Sequence, residues 1–156
     1  MSGTVKSVKT FMARPGEIEP KWFVVDATDC VVGRLARDIA MILMGKHRPT
    51  YTPYSLTGDC VVVTNCEKVV FTGKKWSQKR YTWYTGYTRL RSETPEERLA
   101  KKPEEILIEA VRRMLPKNKL ARRMLERLHV YAGGAHPHQA QCPETLTLGE
   151  KRTKLI

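Results

Sequence analysis

The sequence predicts an α/β fold with a parallel sheet, held in one domain. Short β-branched runs recur at Trp22–Val25, Val61–Val63 and Leu128–Tyr131. Segments with apolar residues at helical spacing lie between them, the order that builds strand–helix–strand units. The length of 156 residues is the usual size of one such domain.

Residues 1–20 carry Lys6, Lys9, Arg14, Pro15 and Pro20 with little periodicity and read as an extended basic arm. Trp22-Phe23-Val24-Val25 ending at Asp26 reads as a buried strand. From Gly33 to Met44, Leu35, Ile39, Ile42 and Leu43 fall on one helical face, with Thr28 or Asp29 to cap the preceding turn and Gly45 to stop the helix. Lys46-His47-Arg48-Pro49 to Pro53 is a basic, proline-punctuated loop. Val61-Val62-Val63 reads as a second strand and Val69-Val70-Phe71 as a short third.

Thr94-Pro95-Glu96-Glu97 is a helix start, with a cap, proline at the first position and acids in the first turn. Pro103-Glu104-Glu105 repeats it, placing Ile106, Leu107, Ala110, Val111 and Met114 on one face and ending by Leu115 because Pro116 follows. Asn118 caps a third helix expected to run to Arg127. Leu128 to Tyr131 reads as the final strand. The organisation expected is an arm over 1–20, one α/β domain over 21–141 and a polar tail over 142–156.

Lys and Arg total 28 against 16 Asp and Glu, a net charge of +12. Such an excess repels itself in the folded state, and a polyanion offsets it; nucleic acid is the commonest. The longest apolar run, Ile39 to Met44, is too short to span a bilayer. No apolar stretch of a secretory signal follows Lys6 and Lys9. Cys30, Cys60, Cys66 and Cys142 show no Cys-x-x-Cys spacing, which suits reduced thiols in the cytoplasm.

Three segments point to phosphate. From Arg112 to Arg127 the chain holds Arg112, Arg113, Lys117, Lys119, Arg122, Arg123 and Arg127 against one acid, Glu126. On a helical wheel Leu120, Ala121, Met124, Leu125 and Leu128 gather opposite Lys119, Arg122, Arg123 and Arg127, so one face can enter the core while the other meets phosphate. A solvated face is the plainer alternative, but solvated faces mix signs. From Gly73 to Arg91, Lys74, Lys75, Lys79, Arg80, Arg89 and Arg91 interleave with Trp76, Tyr81, Trp83, Tyr84 and Tyr87 without an acid. Cations neutralise phosphates and rings stack on unpaired bases, unless the rings pack the core. In Gly45-Lys46-His47-Arg48-Pro49 the cations suit either a backbone contact or the helix dipole.

His136, His138 and Cys142 are too few and wrongly spaced for zinc. A phosphate loop ending at Gly73-Lys74 needs glycine at Lys68 and a hydroxyl at Lys75; one ending at Gly45-Lys46 needs glycine at Ala40. Asp26 and Asp59 stand near strand ends, where loop hydrogen bonding is the commoner role. No enzyme, metal, cofactor or small-molecule substrate is expected.

Gly33-Arg34-Leu35-Ala36, Gly45 through Pro53, Gly58-Asp59, Thr72-Gly73-Lys74-Lys75 and Met114-Leu115-Pro116-Lys117-Asn118-Lys119-Leu120 closely resemble the bacterial L-thirteen family of large-subunit ribosomal proteins. Val130-Tyr131-Ala132-Gly133 and His136 through Gln141 continue the match. The resemblance implies a three-layer α/β/α core around a four-stranded parallel sheet, with basic extended termini. It implies a cytoplasmic structural protein that binds 23S-type rRNA early in large-subunit assembly, beside neighbouring large-subunit proteins. It puts the RNA-facing residues at Lys46, His47, Arg48, Lys74, Lys75, Gly86, Tyr87, Lys117, Asn118, Lys119, Arg122, Arg123, His136 and His138, to which the basic run adds Lys79 and Arg80. The chain departs from the family at Tyr84–Leu90, where a His-Ser-Gly-Tyr-Pro-Gly-Gly run is usual, and at Ala121, usually glycine. The rival readings are a free RNA-binding regulator, which needs the same surface, and a small nucleotide-using α/β enzyme.

Overall fold

The computed structural model describes residues 11–14 and 16–148; most of the expected arm, and the tail from residue 149, lie outside them. Four strands form a wholly parallel sheet in the order β5-β2-β1-β6: β1 (Trp22–Asp26), β2 (Cys60–Thr64), β5 (Leu128–Val130) and β6 (Glu144–Thr145). Period-two alternation splits their side chains between the two faces. Phe23, Val25, Val61, Val63, Leu128 and Val130 belong to one buried cluster with the apolar residues of helices α1 (Val32–Met44), α4 (Pro103–Met114) and α5 (Lys119–Leu125). Trp22, Val24, Val62 and His129 fall on the opposite face, which a 3₁₀ turn at His138–Gln141 covers through the His138 ring. The sheet is thus the middle of three layers, one of which is thin.

Helix α1 buries Leu35, Ala36, Ile39, Ile42 and Leu43, each large side chain contributing roughly 1.5–3 kcal/mol. Gly45 ends it in the left-handed region at φ 78°, where a side chain would meet Thr57 at 2.7 Å. The chain then returns so closely that a Cβ on Gly58 would stand 1.8 Å from the Leu43 carbonyl oxygen. Those two glycines let the 45–59 loop lie flat against the end of α1.

The helix over Pro95–Lys101 (α3) starts as read: Thr94 accepts from the Glu97 N–H while Glu97 accepts from the Thr94 N–H. Other expectations are corrected. The turn before α1 is closed by Asp26, which accepts from the Thr28 N–H and hydroxyl, and not by a Thr28 or Asp29 cap; the N-cap of α1 is Val31, with no side-chain bond. Val69–Phe71 forms no named strand, only a bridge from Val70 to Val31. Helix α5 stops at Leu125 rather than Arg127. Met114 is exposed at the end of α4, and Leu115 takes the buried place. The last strand is β6, past Gln141, and Leu148 beyond it is also buried.

The segment from Gly73 to Glu93 folds as a one-turn helix, α2 (Lys75–Gln78), and an antiparallel hairpin of β3 (Tyr81–Tyr84) and β4 (Leu90–Glu93). Its register sets Tyr81 opposite Glu93 and Trp83 opposite Arg91 on one face, and Tyr84 opposite Leu90 on the other.

Candidate nucleic-acid interface

Asp59 organises the first basic loop. Its carboxylate is fully buried and accepts from the Lys21 N–H at 2.8 Å and from the Arg48 guanidinium through both oxygens, while His47 Nε2 lies 2.8 Å from Oδ2. Burying one carboxylate is costly unless it is paired and hydrogen-bonded, and this site supplies both. Arg48 and His47, expected at the RNA, are therefore committed within the fold, while Lys46 beside them is exposed.

The histidines form a second group. The His138 ring packs at a tilt against Trp22 at 5.2 Å and His129 at 4.4 Å, and its Nε2 is 2.9 Å from the Tyr131 hydroxyl. His136 lies 6.4 Å from the His138 ring, and its Nδ1 is buried without a partner among the described residues. Burial, then the neighbouring His138, holds His129 below its ordinary value. Among the described residues no group of three or more His, Cys, Asp or Glu is placed to hold a metal ion.

On the 73–93 segment Lys74, Lys75 and Arg80 are exposed. Lys79 is half-buried, its ammonium 4.7 Å from the Tyr81 ring centre and 5.1 Å from that of Phe71. Tyr81 and Trp76 pack inward, whereas Tyr84 and Tyr87 are exposed, Tyr87 at 79%. Gly86 turns the hairpin tip at φ 84°.

The third group is the corner between α4 and α5. Lys117, Asn118, Lys119, Arg122 and Arg123 are exposed, and Asn118 caps α5 by accepting from the Ala121 N–H at 2.8 Å. Ala121 and Met124 face the core. Arg127 leaves the basic face that the wheel gave it and donates to the Gly58 carbonyl. A groove of about 810 Å³ opens here, lined by Arg112, Arg113, Lys117, Lys119 and Arg122 over Leu115, Pro116 and Leu125, with no acid in its wall. A second groove of about 480 Å³ lies between the hairpin and α3–α4. Trp83, Arg112 and Arg113 line it, together with ion pairs such as Lys101–Glu93 at 2.8 Å.

The phosphate-pointing segments of the sequence contain Arg112, Arg113 and Trp83, but the set of RNA-facing residues drawn from it leaves these three out. The first two close the last turn of α4, where cations also suit the dipole, so the charge run alone does not separate the two roles. Glu109 accepts from Nε and Nη2 of Arg112 and from Nε of Arg113. Burial pushes its carboxyl up, but the two guanidinium groups outweigh this and hold it below the usual range.

Fold and site define a class: a small, strongly basic α/β module with an open, apolar-floored cationic groove. Within that class the chain belongs to the ribosomal protein L13 family, whose model matches residues 20–137. It is 57% identical to the large ribosomal subunit protein uL13 of Thermotoga petrophila, over 90% of this chain and 95% of the relative. The uL13 of Caldanaerobacter subterraneus is 54% identical over 90% and 99% of the two chains, and that of Rubrobacter xylanophilus 53% over 88% and 96%. The family is one of structural ribosomal proteins, not of enzymes. Among the described residues no helix is long and apolar enough to cross a membrane.

Proposed function

We propose that this chain is a structural constituent of the large ribosomal subunit. It binds 23S-type rRNA early in assembly, beside neighbouring subunit proteins, in the cytoplasm. The observation that carries the reading is the α4–α5 corner, where five cations line one groove without an acid. Cations so gathered release counterions from RNA when they meet its phosphates. The names of the relatives, large-subunit proteins at more than half identity, support the same reading. Lys46, Lys74, Lys75, Arg80, Lys117, Lys119, Arg122 and Arg123 are the direct phosphate contacts. Lys79 is held over the Tyr81 and Phe71 rings and Asn118 holds the start of α5; Gly86 and Tyr87 present the hairpin tip. His47 and Arg48 fix the loop that carries Lys46, and His136 and His138 fix the 131–141 segment.

The test is a salt titration of binding to a large-subunit rRNA fragment. Changing Arg122 and Arg123 together to Ala weakens binding across RNA sequences and reduces the slope of log affinity against log salt by about one for each phosphate left without its cation. An unchanged slope and affinity contradict the reading.

A further inference from the structure

We propose that the two grooves form one track for an unpaired RNA strand, from Trp83 across Arg112 and Arg113 to Arg122, and that this surface takes single-stranded RNA in preference to duplex. The proposal rests on the rRNA-binding reading and deepens it.

Arg112 and Arg113 line both grooves, so the recess beside the hairpin and the recess at the α4–α5 corner meet at these two side chains. Glu109 anchors both guanidinium groups through Nε and, in Arg112, Nη2; Nη1 of Arg112 and the terminal nitrogens of Arg113 are not used in these bonds. Two cations braced side by side in a wall are pre-organised to hold consecutive phosphates at little entropic cost. At one end Trp83 offers a ring 37% exposed, enough face for a base to stack on. The Tyr81 hydroxyl in that same groove is buried with no partner among the described residues, although the ring is only 5% exposed. At the other end Pro116 and Leu125 line the groove together with Lys119 and Arg122, adding apolar ground among its cations.

A duplex cannot use these features. Its bases are stacked on one another, and it presents phosphates and 2′-hydroxyls on a stiff outer surface. Aromatic and apolar ground interleaved with cations is complementary to splayed bases on a flexible backbone. Charge alone suits any polyanion, since five cations and no carboxylate line the Arg122 groove while Glu93, Glu105 and Glu109 line the Trp83 groove. The exposed Trp83 ring favours RNA over an acidic protein segment, because bases bring faces that stack.

The experiment uses the full chain and two fluorescent RNA probes, a 12-nucleotide oligouridylate and a 12-base-pair RNA duplex, with labelled oligoglutamate beside them. The track predicts tighter binding of the oligouridylate. Trp83→Ala weakens that binding about five-fold or more, as removal of one stacking platform worth at least roughly 1 kcal/mol requires. Arg113→Gln and Arg122→Gln each lower the salt slope by about 0.7, while Arg37→Gln, on an exposed turn of α1, leaves it unchanged. Equal or tighter duplex binding, or a Trp83→Ala variant with unchanged affinity, overturns the track while leaving the rRNA reading standing. Failure of both RNAs to bind overturns both. Binding of labelled oligoglutamate that Arg113→Gln and Arg122→Gln weaken, with neither RNA bound, assigns the groove to an acidic protein segment and overturns the proposal.

Discussion

A single buried carboxylate decides what the most basic loop of the chain can do. Asp59 draws Arg48, His47 and the Lys21 amide to itself, so Arg48 contributes through the fold. Arg48→Ala leaves a fully buried charge short of its main partner and costs about 3–5 kcal/mol, read as a lower urea midpoint. Lys46→Ala, at an exposed position, stays within about 0.5 kcal/mol; equal losses would show that the Asp59 lock carries no stability. The sequence reading of Asp59 as a loop hydrogen-bonding residue agrees with this geometry. Its partners were not legible, because only the fold brings the end of α1 and the start of β1 to it. His129 adds a pH dependence. Its folded-state value lies below the ordinary 6.5, so protonation costs the folded chain more than the unfolded one. That stability is complete above about pH 6.5 and is lost as pH falls through 6.5 toward the lower folded value. Between pH 7.5 and 5.5 the Tm should fall, and in His129→Phe it should fall less. Asp26, Glu93 and Glu109, whose values are lowered from 3.8 or 4.5, titrate below this window. A variant with the same drop as the parent would remove His129 from the account.

At the scale of elements, α5 divides cleanly. Met124 is 3% exposed and Leu120 is half-buried against the core, whereas Arg122 and Arg123 face solvent. Met124→Ala should cost about 2–5 kcal/mol, while the Arg122/Arg123 double change to Ala stays within about 0.5 kcal/mol per site. Denaturant melts showing the reverse order would mean that the helix is turned over. Helix α3 makes the opposite case: exposed Glu96 and Glu97 lie at its start, outside the basic corner. Glu96→Gln with Glu97→Gln should leave RNA affinity unchanged or slightly raised. A loss of affinity without unfolding would show that this face meets RNA. Both helices were legible because caps and apolar spacing are local signals. The hairpin of β3 and β4 was not, since nothing local fixes which residues pair across the turn, and cations with rings suit loop, strand and RNA surface alike. Val69–Phe71 has strand composition, yet its neighbours allow only one bridge; β-propensity answers to context.

For the whole molecule, the alternation of strand and helix announced a parallel α/β fold, and the continuous valine run of β2 announced a strand, which is buried at all five residues. The edge strand was hidden. Glu144–Thr145 joins the sheet beside β1 with two exposed polar side chains, so composition assigned it to a tail. Net charge told of a polyanion but not of where it sits; the corner and the two grooves emerge only when α4, α5 and the hairpin are brought together. Sedimentation tests the central claim most directly. The full chain, tagged and expressed in a bacterial cell, should travel with the large subunit and with whole ribosomes through a sucrose gradient at moderate salt, and leave that fraction when RNase digests the rRNA. A chain that stays at the top of the gradient as free protein would contradict it.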